Sequence, residues 1–342
     1  MTSHSYIKNI TAKMTPEYRY DYKEDFSVWR KRAKEKLAGL LGLPFAVPSD
    51  DKFSADASYT KDCLLYTPFS FQSEDGYFVS ACMVKREDLT EKLPLCICLQ
   101  GHSSGMHISL GEAIYENDAA TIAGGRDFAV RAAREGMAAV AVEQRYMGKA
   151  GFADKARPAC TAAAPDGDAN QAMAALLIGR TAIGERVWDV MRLIDVIETE
   201  FKDTVDTTKI CCMGNSGGGT ATAYIAALED RIVLAMPSCA MCTYKDSIGA
   251  MNHCSCNYVP NIARYFDMND LMAMACPKYF VQVSGAEDGI FPIKQAVEVF
   301  AKGKEAYKNQ GVEERCTMIR GNGGHRFYAD DAWPIVHKYI VR

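Results

Sequence analysis

The sequence predicts an α/β protein, with one mostly parallel central sheet, helices on both of its faces, and a helical extension and β-hairpin ahead of it. Three observations carry this. From Pro94 onward, short continuously apolar runs alternate with longer stretches of helical period, the pattern of strands buried on both faces. The 342 residues are 48% hydrophobic and 24% charged, enough to bury a large core without disulfide staples. No internal repeat or low-complexity tract breaks the alternation, so a length that would allow two domains reads as one.

Taken in order, Phe26, Trp29, Ala33, Leu37 and Leu40 recur at helical spacing until Gly42 and Pro44 stop the pattern, which predicts an amphipathic helix packed on the main body. Alternation between Cys63 and Lys85 around Glu74-Asp75-Gly76 predicts a β-hairpin. Residues 1–58 are therefore expected as a helical extension, and 59–342 as the main domain. Its strands are expected at Leu95–Leu99, Met137–Val142, Ile210–Met213, Ile232–Met236, Tyr279–Val283 and Cys316–Ile319. Helices are expected at Asp127–Glu135, around Val187–Thr199 with Val187, Met191, Ile194 and Ile197 on one face, and after His325 around Trp333, Ile335 and Tyr339. The Ala/Gly-rich stretch 150–175 reads as a surface insertion, and 237–277 as a second insertion that lines the substrate.

A net charge of -4, from 39 basic and 43 acidic residues, offers no counterion-release footprint, which excludes nucleic acid and anionic membrane as main partners. No apolar run approaches the roughly 20 residues of a membrane span, and the start lacks the apolar core of a secretory signal. The 13 cysteines are an odd number, and Cys211 and Cys212 sit inside an apolar run, as packed thiols of a reduced protein do. A cytoplasmic setting is the expectation. Assembly into a homo-oligomer is left open by the sequence.

The chemistry concentrates in Met213-Gly214-Asn215-Ser216-Gly217-Gly218-Gly219, where an apolar strand runs through Gly-x-Ser-x-Gly into an Ala-rich helix. That is the context of a nucleophile elbow, in which a sharp turn lifts the serine hydroxyl above the sheet edge. The hydroxyl needs a base. His325, in Gly323-Gly324-His325-Arg326 after the last strand, has the right place in the chain. The acid that orients the imidazole is expected after the strand ending at Gly285, where Asp288 is the first candidate and Glu287 its neighbouring alternative. The backbone N–H groups of Gly217 and of His102, in the Gln100-Gly101-His102 loop after the first central strand, are the expected oxyanion donors. Cys239, Cys242, His253, Cys254 and Cys256 are zinc-type ligands, but the second thiol pair is too closely spaced for the usual site. No metal and no cofactor is expected.

The elbow, the Gly101-His102 loop, the segment Glu143-Gln144-Arg145-Tyr146-Met147-Gly148 and the segment Gly285-Ala286-Glu287-Asp288-Gly289 together resemble the acetyl xylan esterase and dienelactone-hydrolase-like branch of the α/β-hydrolase superfamily. The resemblance covers roughly residues 60 to 342. It implies the α/β-hydrolase fold and a serine carboxylic-ester hydrolase working through an acyl-enzyme, with Ser216 as nucleophile, His325 as base then acid, and Asp288 as orienter. It also implies small acyl esters, such as acetylated carbohydrates, as substrates. Arg145, His253 and Tyr258 are the expected substrate contacts. A serine peptidase or amidase of the same fold and a non-catalytic binder are the competing readings.

Overall fold

The computed structural model describes residues 2–50, 52–102, 104–151 and 168–341. Among the described residues ten strands join one sheet: β1 (Phe53–Ala55), β2 (Tyr59–Lys61), β3 (Leu64–Glu74), β4 (Tyr77–Arg86), β5 (Leu93–Leu99), β6 (Ala138–Val142), β7 (Val205–Asn215), β8 (Ile232–Ser238), β9 (Tyr279–Gly285) and β10 (Cys316–Gly321). Their spatial order is β1-β3-β4-β6-β5-β7-β8-β9-β10, with β2 paired to β3. From β6 to β10 all neighbours are parallel. The expected hairpin is β3–β4, and it is not an appendage. Its β4 strand pairs antiparallel with β6, so the sheet is mixed.

The strands are buried on both faces, and their alternation sorts the core into two layers. Leu95, Ile97, Leu99, Val140 and Cys212 face one layer, whereas Cys96, Cys98, Ala139, Cys211 and Met213 face the other. The helices used below are α1 (Ser3–Lys13), α2 (Phe26–Leu41), α3 (Phe128–Arg134), α4 (Ala182–Glu200), α5 (Gly217–Leu228), α6 (Met268–Ala275), α7 (Ile293–Asn309) and α8 (Ala329–Val336). Residues of α2, α4, α5, α6 and α7 fill the first layer, and those of α3 and α8 fill the second.

In α2, Trp29, Ala33, Leu37 and Leu41 form the buried stripe, and Asp25 caps the helix by accepting from the N–H groups of Ser27 and Val28 at 2.9 and 3.1 Å. Gly42 closes it in the left-handed conformation, φ 83°. Much of the expected 150–175 insertion lies outside the described residues. Within 237–277, α6 is buried along its length and packs on α5 and α7, so that part is core and not a loop over a pocket. Among the described residues no helix is long and apolar enough to cross a membrane.

One consequence of the parallel arrangement decides where chemistry can happen. The carboxyl ends of six adjacent strands share one edge of the sheet, and the loops leaving them carry Arg145 after β6, His102 after β5, Ser216 after β7, Cys239 after β8, Asp288 after β9 and His325 after β10.

Candidate active site

Ser216 sits between β7 and α5 at φ 55° and ψ −119°, a conformation that non-glycine residues rarely adopt and that costs on the order of 1–3 kcal/mol. The surroundings hold it there. Its N–H donates to the Ser238 carbonyl at 2.8 Å, and its own carbonyl accepts from the Thr220 N–H at 2.8 Å. Helix α5 is buried throughout and presses against the end of β5. A side chain at Gly218 would run into the carbonyl oxygens of Leu99 and Gln100, and one at Gly219 would come within 2.5 Å of the Ser238 carbonyl. The glycine spacing of the motif therefore follows from close packing of the elbow. Among the described residues the Ser216 hydroxyl makes no hydrogen bond, so it is available to a ligand.

The imidazole and the acid meet as expected. His325 Nδ1 lies 2.9 Å from Asp288 Oδ2, and Asp288 Oδ1 accepts from the N–H groups of Ile290 and Phe291 at 2.8 and 3.0 Å. Burial pushes the Asp288 carboxyl up, but the His325 hydrogen bond and charge and these two backbone donors outweigh it and hold the group below its ordinary value. Glu287, the alternative acid, is exposed, whereas Asp288 is buried. Register explains the meeting: Gly285 of β9 pairs with Gly321 of β10, and the Ala286 and Glu287 N–H groups donate to the Gly321 and Gly323 carbonyls at 2.8 and 2.9 Å. The Phe291 ring stacks on the His325 ring with centroids 6.0 Å apart.

At the expected oxyanion site, Gly217 is the first residue of α5, where backbone N–H groups have no intrahelical partner. The His102 ring lies against it: a side chain at Gly217 would come within 2.5 Å of His102 Cε1 and 2.7 Å of its Nδ1. His102 Nε2 reaches Cys256 Sγ at 2.7 Å, and the Arg186 guanidinium stands 3.5 Å from the same sulfur. Burial works to discharge His102, yet the Cys256 and Cys254 sulfurs outweigh it and push its pKa up to about 10. Glu143 braces the same loop by accepting from the Met106 N–H at 3.3 Å, and burial pushes its carboxyl up to about 7.

Of the three expected substrate contacts, one comes to the site. His253 is buried, stands edge-on to Phe291 at 5.6 Å, and is pushed down to about 4 by burial and by the charges of His102 and His325. Arg145 does not: its Nε donates to Asp189 at 2.8 Å and its Nη2 to Glu74 at 2.7 Å, while its guanidinium lies 3.8 Å over the Tyr77 ring. A guanidinium enclosed by three carboxylates, Glu185 at 3.7 Å being the third, is a structural tie between the hairpin and α4. Tyr258 turns its hydroxyl to the Ile248 carbonyl at 2.9 Å and is 40% exposed. The zinc-type residues divide, with Cys254 and Cys256 together at the His102 ring and Cys239 and Cys242 elsewhere. Cys239 Sγ donates to the Arg326 carbonyl at 3.2 Å, Cys242 Sγ faces the Pro292 carbonyl, and Cys256 belongs to His102. Among the described residues, the group of three that could hold a metal is Cys239 with Asp288 and His325, which is the acid–base pair itself plus the thiol beside it. The sequence reading missed the pairing of His102 with Cys256 and the guanidinium of Arg126, which lies behind Gly101.

By fold the molecule is an α/β-hydrolase. A family model described as glucuronyl esterase of fungi matches residues 180–243, the stretch that contains the elbow. A Bacillus subtilis (strain 168) protein named "Putative hydrolase YtaP" is 24% identical over 153 residues, which is 44% of this chain and 50% of that relative. The match thus spans about half the length of that relative. Among solved structures, one described as a "putative acetyl xylan esterase" from Bacteroides fragilis NCTC 9343 superposes with a TM-score of 0.75 at 14% identity, over 94% of this chain and 82% of that one. A glucuronoyl esterase from Solibacter usitatus gives a TM-score of 0.70 at 13% identity, over 96% and 98%. The fold is thus shared with carbohydrate esterases of both kinds.

Proposed function

We propose that this chain is a serine esterase that cleaves carbohydrate esters of small acyl groups through an acyl-enzyme. The observation that carries the reading is the strained Ser216 elbow standing at the same sheet edge as a His325–Asp288 pair 2.9 Å apart. In this mechanism Ser216 Oγ attacks the ester carbonyl carbon and His325 takes its proton. Asp288 holds the Nδ1 proton and stabilises the imidazolium. The oxyanion forms against the N–H groups of Gly217 and His102, at the positive end of α5. Collapse passes the proton to the leaving alcohol and leaves the acyl group on Ser216. Water, deprotonated by the same imidazole, then releases the acid.

The carbohydrate part of the reading is supported by the fold shared with acetyl xylan and glucuronoyl esterases. The many thiols packed inside the sheet, including Cys96, Cys98, Cys211 and Cys212 at 0% exposure, support a reduced, cytoplasmic setting. Hydrolysis of 4-nitrophenyl acetate and of acetylated sugars by the wild type and by Ser216→Ala tests the proposal. The variant is expected to fold and to lose about 10⁴- to 10⁶-fold in kcat. Retention of most activity would place the nucleophile elsewhere.

A further inference from the structure

Arg126 is a charged group that the proposed chemistry does not use. Its Nε and Nη2 both donate to Gln100 Oε1, at 3.0 and 2.7 Å, and among the described residues its Nη1 has no hydrogen-bond partner and the guanidinium no carboxylate. Gln100 is not free to turn away, because its amide nitrogen donates to Ser109 Oγ at 2.6 Å and to the Arg126 carbonyl at 2.7 Å. Burial pulls the Arg126 pKa down to about 10, which leaves it cationic at neutral pH. A half-buried cation whose side-chain hydrogen-bond acceptor among the described residues is a neutral amide, with the Cys239 thiol as the other polar group near it, is costly unless something else supplies the counter-charge.

Its position says what that could be. A side chain at Gly101 would run into the Asn215 carbonyl oxygen at 2.7 Å and crowd Ser216 Cβ at 3.1 Å and Arg126 Nη2 at 3.3 Å, so the guanidinium and the nucleophile turn pack against the same glycine. The neighbouring Gly125 is packed so closely on the start of α8, just past the His325 loop, that a side chain there would meet Ala329 Cβ at 2.8 Å. The Arg126 guanidinium thus lies against the oxyanion loop, a few ångströms from the candidate nucleophile, while its neighbour Gly125 is packed on α8. The contrast with Arg145 is direct, since that guanidinium is already enclosed by Asp189 and Glu74.

We infer that Arg126 receives a free carboxylate carried by the substrate within a few bonds of the scissile ester, so that the preferred substrates are anionic esters. This rests on the esterase reading above. In the complex, Nη1 and the outer edge of Nη2 donate to the carboxylate, and Gln100 holds the guanidinium plane. A charge-assisted pair of this kind contributes about 1.5–3 kcal/mol, which corresponds to roughly tenfold to a hundredfold in kcat/KM.

The test compares the mono-4-nitrophenyl ester of adipic acid with 4-nitrophenyl hexanoate, which differ by a carboxylate in place of a methyl group at the far end. The wild type is expected to favour the adipate ester by about tenfold or more, with the preference shrinking at high salt. Arg126→Gln is expected to remove most of that preference, chiefly through KM, and Arg126→Lys to keep part of it. A ratio unchanged in Arg126→Gln, or equal losses on both esters, would overturn the inference and make Arg126 a brace for the oxyanion loop. Binding without turnover is read by titrating monomethyl adipate into Ser216→Ala and into Ser216→Ala/Arg126→Gln. Tighter binding by about tenfold when Arg126 is present supports the inference, and equal affinity refutes it. That arm stands even if the wild type hydrolyses neither ester, a result that would sink the esterase reading alone.

Discussion

Replacing Gly217 by alanine separates the packing of the elbow from its chemistry. The residue has no left-handed φ, so a methyl group adds no backbone strain. The cost comes from what the methyl meets: His102 Cε1 at 2.5 Å, His102 Nδ1 at 2.7 Å and Met147 Cε at 2.9 Å. Ordinary contact needs about 3.5 Å or more, so the His102 ring must retreat by roughly 1 Å. The ring is tethered at its far end, where Nε2 lies 2.7 Å from Cys256 Sγ, and the strain passes into the oxyanion loop. Overpacking of this size costs about 1–3 kcal/mol of stability. Misplacing one oxyanion donor removes about 10²- to 10³-fold from kcat. Steady-state hydrolysis of 4-nitrophenyl acetate, with a melting curve on the same sample, reads both effects. A Gly217→Ala variant with kcat within threefold of wild type would show that this face of α5 does not hold the oxyanion.

Asp288→Asn is expected to leave the fold intact and to lower kcat by about 10⁴, because an amide can neither fix the imidazole tautomer nor stabilise its cation; a loss below tenfold would point to another acid. Gly39, inside α2 with nothing within 4 Å of an added side chain, should gain about 0.5–1 kcal/mol on replacement by alanine, measured by urea denaturation with unchanged activity. The His253 pKa is depressed from 6.5 to about 4, so as pH falls through this window the unfolded chain takes up a proton that the folded chain refuses, and stability falls with it. Between pH 7 and 5 the loss from this residue is about 2 kcal/mol, and His253→Gln should remove it. Equal acid sensitivity in that variant would mean that His253 is already charged in the folded protein.

The parts of the fold that are legible in the sequence are those encoded locally. Each buried strand is a continuous apolar run, and the elbow, Asp288 and His325 each follow such a run, so chain order alone brings them to one edge. The acid could be chosen only between neighbours, and exposure of Glu287 against burial of Asp288 is a tertiary fact. Arg145 misled because its partners are remote: Asp189 is 44 residues away and Glu74 is 71. The His102–Cys256 contact spans 154 residues and has no local signal at all. Helix α1 lies inside the helical extension expected over 1–58, but its apolar residues Tyr6, Ile7 and Ile10 stay exposed, so they do not mark a face packed on the body as those of α2 do. The hairpin was seen, but its pairing with β6 was not, since nothing in an isolated hairpin states which sheet it will extend.

The thiols inside the sheet carry one more consequence. Cys96 and Cys98 on β5 and Cys211 on β7 are wholly screened from water, with Cys96 directly opposite Cys211 in the ladder. A small thiol reagent can reach them only when the two central strands part. Their labelling rate is therefore a clock for the opening of the middle of the molecule, whereas exposed Cys63 reports the surface. The chain thus contains its own reporters of sub-global unfolding, readable with a thiol reagent and without a mutation.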